Sequence, residues 1–211
     1  IFSNFFYLNL NSLNKSKNSY DSRLYYIGRS RYSIDCSKNI SQIILETIKR
    51  IQIPPKKVLI LDCDNTLWGG VVGEDGPLGI NIGTDGIGTI YKDFQKSVLR
   101  LKNEGIILCI CSKNNHDDIA EVFKKNKNLL LRMDDFTSVK ANWKNKTENI
   151  LEISKELDLS LDSFVFFDDN PIEREQIKKE LKDVIVIDPN KDISYWPEQL
   201  FECFEFIKFK L

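Results

Sequence analysis

Val58-Leu59-Ile60-Leu61-Asp62-Cys63-Asp64-Asn65-Thr66-Leu67-Trp68-Gly69-Gly70 is the stretch on which the reading of this chain turns. Four consecutive apolar residues run into two acids, an amide and a hydroxyl. A short run without polar alternation suits a strand buried on both faces, as in a parallel sheet. Comparable runs recur at 106–111, 129–131, 164–167 and 184–187. Helical periodicity falls between them, near 88–103, 116–126, 146–157 and 172–182. Gly105 is placed to stop the first of these helices, and Pro171 to open the last. Strands alternating with helices predict an α/β fold of Rossmann-like type, a parallel sheet with helices on both faces.

In such a sheet ligands bind beyond the carboxyl ends of the strands. The first run ends in Asp62 to Thr66, the second in Cys111-Ser112-Lys113, and the fourth in Phe167-Asp168-Asp169-Asn170. Acids and a hydroxyl therefore converge on one sheet edge. Asp62 and Asp64, two apart near a strand end, project to the same side. Their mutual repulsion calls for a hard cation or a shared proton, and magnesium takes carboxylate oxygens while keeping waters. One acid can then attack phosphorus while the other protonates the leaving group. Ser112 fits a phosphate ligand or a helix cap, as Asn114 or Asn115 also does.

These motifs resemble those of the haloacid dehalogenase superfamily. The continuation Trp68-Gly69-Gly70-Val71-Val72-Gly73-Glu74-Asp75-Gly76 resembles the FkbH-like family, whose members load glyceryl units onto acyl carrier proteins. Phe94-Gln95, Ser112-Lys113-Asn114, Asp135-Phe136, Asn142-Trp143, Lys146, and Phe167 to Pro171 with Glu173-Arg174-Glu175 extend the likeness from about residue 56 to the end. The resemblance implies Asp62 as nucleophile and Asp64 as general acid/base, its backbone carbonyl offered to Mg2+. It implies Ser112, with Lys113, Asn114, Thr66 and Trp68, on the substrate, and Lys146 neutralising the nucleophile. Asp169 is then a direct metal ligand beside Asp62, and Asp168 supports Lys146 near the metal. The expected substrate is a phosphorylated small molecule, with an acyl carrier protein as partner. A capless phosphatase of a small phosphate ester or phosphoprotein, and a non-catalytic interaction module, remain the alternatives.

Residues 1–55 are expected to be the remnant and linker of an upstream domain, and 56–211 the catalytic domain. The family often carries an upstream domain resembling SGNH hydrolases, and 1–50 look like its last turn and linker helix. The chain begins at Ile1 rather than Met, which reads as a piece of a longer protein. Within 37–52, Ile40, Ile43, Ile44, Ile48 and Ile51 form one helical stripe, with Ser37 as expected N-cap and Pro54-Pro55 as stop. About fifty residues separate Asp62 from Ser112, room for a helix and a short flap over 68–86 but no cap domain. Cys63 and Cys111 neighbour the acids and the hydroxyl, and alternation turns both away. Trp68 and Trp143 are placed to meet a substrate or to pack. The segment 195–211 reads as a packing helix.

Composition sets the outer bounds. With 42% hydrophobic and 29% charged residues and a formal net charge of −1, the chain has no broad attraction for nucleic acid or anionic lipid. No apolar run reaches the roughly 20 residues a membrane span needs. Five cysteines at irregular spacing make no disulfide framework, so a cytoplasmic setting is expected. His116, the only histidine, sits at a helix start beside Asp117, which argues against a serine–histidine hydrolase.

Overall fold

The apolar run at Val58–Leu61 forms β1, fully buried along its length. The computed structural model describes residues 19–52, 54–201 and 203–206. These fall into two units, one up to Pro55 and the other from Lys56 onward.

In the second unit β1 is the middle strand of a five-stranded sheet. The others are β2 (Ile107–Ser112), β3 (Phe136–Ala141), β4 (Phe164–Phe167) and β5 (Ile185–Ile187), in the order β3-β2-β1-β4-β5. Every pairing is parallel, with Leu61 opposite both Ile110 and Phe167. Alternation along β1 sends Leu59 and Leu61 into one core and Val58 and Ile60 into another. The first core takes Phe94 and Val98 from α4 (Ile87–Asn103), Ile119 and Val122 from α5 (His116–Lys125), and Trp196 and Leu200 from α8 (Trp196–Phe201). The second takes Ile150 and Ile153 from α6 (Lys146–Leu157) and Ile177 from α7 (Pro171–Glu180). Two cores with one sheet between them are what near-continuous apolar strands require. Helix α4 ends where expected, with Gly105 at φ 91° donating its amide to Lys102 O.

One expected strand is wrong. Residues 129–131 are not a strand, and β3 lies at 136–141 instead. The Leu130 and Leu131 amides donate to Oε1 of the buried Gln95 at 2.9 and 3.1 Å. A side-chain amide therefore satisfies this apolar triplet, and no neighbouring strand is needed. The edge strand β3 is only partly buried, so its sequence lacks the apolar signature of β1 and β4.

Between β1 and α4 the chain makes a short flap. Gly69 and Asn81 exchange backbone hydrogen bonds of 3.0 and 2.7 Å around the one-turn α3 (Val72–Asp75). Gly70, at φ 97°, is a required glycine: a Cβ there would stand 2.4 Å from the Asp75 carboxylate.

In the first unit, α1 (Ser22–Gly28) is capped by Asp21, which accepts from Arg23 and Leu24. It lies in a stretch whose sequence shows no period. Helix α2 (Ile34–Gln52) starts four residues earlier than a cap at Ser37 suggests. The cap is Ser33, whose Oγ accepts from the Cys36 amide at 3.2 Å, while Ser37 lies inside the helix. Of the expected stripe, Ile40 and Ile43 are half-buried, and Ile44 and Ile48 are exposed. The side chain of Ile51, the readings over 1–18, and those over 207–211 fall outside the described residues. Near the end Trp196 and Leu200 are buried on α8. Among the described residues, no helix is long and apolar enough to cross a membrane.

Candidate active site

Three strand tips meet where the chain reverses its direction of travel across the sheet, with β2 and β4 on either side of β1. Asp62 follows β1 directly, and its amide donates to Phe167 O at 3.2 Å. Asp168 and Asp169 follow β4. Carboxylate oxygens of Asp62, Asp168 and Asp169 lie within 4.8 Å of one another. Lys146, the first residue of α6, places its ammonium 3.1 Å from Asp62 Oδ1 and 2.5 Å from Asp168 Oδ2. The four residues are almost wholly excluded from water apart from Asp169, which is half-buried.

One lysine against three carboxylates leaves the cluster short of positive charge. Burial, and then the charge on Asp62, push the Asp168 carboxyl up to about 6. The same two causes raise Asp169. Burial works against the Lys146 ammonium, but Asp62 and Asp168 together outweigh it and hold its pKa well above the ordinary value. Lys146 therefore stays charged, and the proton that titrates near neutrality belongs to the acids. Asp62 Oδ1 is buried, and although Lys146 Nζ is close, no donor hydrogen is aligned on it. A buried carboxylate oxygen in that condition calls for a cation or a donor. Three carboxylates at this spacing fit a hard divalent ion with waters retained.

Asp64 does not join this group; its carboxylate is held elsewhere. Oδ1 accepts from Trp68 Nε1 at 2.9 Å and the Val72 amide at 3.2 Å, and Oδ2 accepts from Asn114 Nδ2 at 3.0 Å. Asn114 also donates to Ser112 Oγ at 3.1 Å, which links the second strand tip to the first. Thr66 Oγ1 takes the Asp169 amide at 3.2 Å and reaches Asp169 Oδ1 at 3.3 Å, so it steadies an acid instead of facing a substrate. Trp68 has no exposed surface and packs edge-on against Phe123. It does not line the cleft, and its indole holds Asp64 from within the core. Trp143, by contrast, is 70% exposed.

A cleft of about 180 Å³ opens over these groups, lined by Asp62, Asp64, Ser112, Lys113, Asn114, Lys146 and Asp169. Asn65, Asn170 and Glu173 complete the lining. The sequence reading gave these three no role. Asn65 adopts a left-handed conformation, φ 53°, that asparagine tolerates, and accepts from the Gly70 amide at 2.9 Å. Glu173 sits in the first turn of α7, where side chains lean back toward the helix start and so toward the acid pair. Its Oε1 accepts from Lys113 Nζ at 2.6 Å. The spacing of Glu173, four residues behind Asp169 and two past a proline helix start, was the available signal. Arg174 donates to the carbonyls of Asp168 and Asp169 at 2.8 and 2.7 Å and so braces the loop. A larger groove of about 740 Å³ in the first unit, against Leu24, Tyr32, Ile34 and Leu45, gathers no acids.

The two cysteines near the site are buried. Burial, with Asp62 and Asp64 adding to it, drives the Cys63 thiol well above its ordinary value. Burial pushes Cys111 up to about 12, and its thiol donates to Lys146 O at 3.7 Å. Neither is ready to form a thioester, since the thiolate is the nucleophile. Cys36, Cys63, Cys109 and Cys111 form no disulfide. His116 heads α5 with a half-exposed ring and does not line the cleft.

The fold is the Rossmann-like α/β fold of the haloacid dehalogenase type. Among solved structures, the chain is similar to the N-terminal part of the protein BF1531 from Bacteroides fragilis, containing a phosphatase domain, complexed with magnesium. That likeness has 38% identity and a TM-score of 0.82, over 95% of this chain and 54% of the other. The chain thus spans about half the length of that N-terminal part. Fainter likenesses, at 13% and 14% identity and TM-scores of 0.44 and 0.41, link it to two further structures. One is an HAD family enzyme from Bacteroides thetaiotaomicron, with 64% of this chain and 94% of that one aligned. The other is the 3-deoxy-D-manno-octulosonate 8-phosphate phosphatase of Moraxella catarrhalis, with 70% and 86% aligned. Those two are too distant to bear on chemistry. No protein-family model and no curated protein matches the chain.

Proposed function

We propose that this chain is a magnesium-dependent phosphatase that works through an aspartyl-phosphate on Asp62. The observation that carries the proposal is the triad of Asp62, Asp168 and Asp169, the first two buried, closed by Lys146, with Asp64 held apart from it. The magnesium-bound phosphatase domain of BF1531 supports the choice of ion and of reaction.

Asp62 and Asp169, with the backbone carbonyl of Asp64, would hold the ion, which supplies charge neutralisation at the phosphoryl oxygens. An Asp62 carboxylate oxygen attacks phosphorus, and the bond from phosphorus to the ester oxygen breaks. The leaving oxygen takes a proton from Asp64. Asp64 then accepts a proton from the water that attacks the aspartyl-phosphate, which frees phosphate and restores both acids. Ser112 and the Asn114 amide offer hydrogen bonds to the phosphoryl group, and Lys146 offsets the charge of nucleophile and phosphoryl oxygens.

Within this class, the FkbH-like motifs support a phosphorylated three-carbon acyl donor whose glyceryl group passes to an acyl carrier protein. The open cleft suits such a partner, because β1 and α4 are joined by a flap and not a cap domain. A plain phosphatase of small esters is the second reading, favoured by the burial of Cys63 and Cys111, which disfavours the thiolate a thioester carrier needs. A non-catalytic module has no use for an uncompensated buried carboxylate cluster. Incubation with donor, magnesium and holo-carrier should raise the carrier's mass; phosphate release with no mass change selects the second reading. Asp62→Asn should abolish phosphate release, and full activity in that variant would overturn both readings.

A further inference from the structure

Resting on the phosphatase reading, we propose that Trp143 is a specificity-determining residue that packs its exposed indole face against the leaving group of the substrate. The cleft is the first reason. At about 180 Å³ it has room for a phosphoryl group, its ion and a few waters at roughly 30 Å³ each. The remainder of any larger ester must lie over the rim.

The second reason is where Trp143 stands and how it is held. It lies two residues beyond the end of β3 and three before Lys146. Its Nε1 donates to Asn115 Oδ1 at 2.9 Å, and Asn115 adjoins the cleft-lining Asn114. The preceding residue is anchored from several sides. The Asn142 amide donates to Ser112 O at 3.1 Å, and its side chain exchanges two hydrogen bonds of 3.1 and 3.0 Å with Asn149. The loop therefore presents a fixed indole whose polar edge is occupied and whose faces stand free. Trp68 and Trp196 follow the usual rule and are buried at 0% and 5% exposure, whereas Trp143 is 70% exposed. A large rigid aromatic held in place at a site mouth loses little freedom on meeting a ligand. Ile172, in the first turn of α7 between the cleft-lining Asn170 and Glu173, is 75% exposed, so a second apolar side chain adjoins the cleft. A leaving group with a flat or apolar face fits this rim.

The test uses the full chain with magnesium and compares acetyl phosphate with phenyl phosphate. Trp143→Ala should raise KM for phenyl phosphate about threefold to tenfold, the scale of one aromatic contact, with kcat and all acetyl phosphate kinetics unchanged. Trp143→Phe should restore most of the loss. A second measurement needs no turnover. With Trp68 and Trp196 buried, acrylamide quenching reports chiefly on Trp143, and phenyl phosphate should protect it in Asp62→Asn while inorganic phosphate should not. Unchanged KM in Trp143→Ala, an equal loss on both substrates, or quenching indifferent to phenyl phosphate would each overturn the proposal. Inactivity of the wild type on every ester, with protection retained, would instead count against the phosphatase reading.

Discussion

Replacing Lys146 by methionine tests the electrostatic account of the site most directly. The side chain is 3% exposed, and its partner Asp168 is fully buried, so solvent screening does not dilute the effect. At separations of 3.1 and 2.5 Å and an effective dielectric of 20, the gross attractions to Asp62 and Asp168 are about 5 and about 7 kcal/mol. Most of that is offset, because the ammonium no longer has to be removed from water. What remains is the cost of a buried carboxylate cluster without its counter-charge, about 3–5 kcal/mol. Spread over a domain of this size, that lowers the melting temperature by about 6–20 °C. Thermal unfolding followed by circular dichroism, at pH 7 in EDTA, measures it. The deficit should shrink at pH 5, where the acids can take protons, and shrink again when Asp168→Asn is added. A Lys146→Met protein that melts with the wild type at pH 7 would refute the reasoning.

Three other outcomes follow from the same geometry. Magnesium at a hundredfold excess over its Kd should stabilise the folded chain by about 2.7 kcal/mol, and Asp62→Asn should blunt the shift; a melting curve indifferent to magnesium contradicts the site. Asp168 sits at about 6 when folded, against an ordinary value of 3.8, so the folded state binds the proton more tightly than the unfolded chain. Metal-free stability should therefore rise as pH falls from 7 to 5, by about 1 kcal/mol from this group, with Asp169 adding in the same direction. A melting temperature that drops over that interval, without metal, speaks against it. Trp68→Phe keeps an aromatic ring beside Phe123 but removes one of three donors to Asp64; phosphate release should slow by roughly tenfold, the worth of a charge-assisted hydrogen bond, and the melting temperature should fall as well. Equal kinetics would mean the indole does not aim the acid.

The parts of the fold legible in the sequence were those where burial is total. Strands β1 and β4 are buried at every position, and unbroken apolar runs announce them. At the sheet edge this rule fails, because β3 is half-exposed and mixes Thr137, Ser138 and Lys140 with apolar residues. The Leu129 to Leu131 triplet imitated a strand because Gln95, thirty-five residues away, satisfies its amides. Local pattern does not contain that bond. The acids of the cleft were visible because each directly follows an apolar run. Glu173 was hidden, since it lies inside α7 and not at a strand tip, and an acid in a first helical turn ordinarily serves the helix dipole. Trp68 was ambiguous for a different reason: burial of its ring and hydrogen bonding of its nitrogen are both satisfied at once, and a sequence shows neither.

That indole ties reactivity to the interior. Trp68 packs on Phe123, and Phe123 packs in turn on Phe136, at the foot of β3. The orientation of Asp64 therefore depends on a stack of rings reaching across the molecule to the opposite end of an edge strand. Slack introduced at Phe136, well away from any phosphate, would loosen the aim of the proton donor before it loosened the chain.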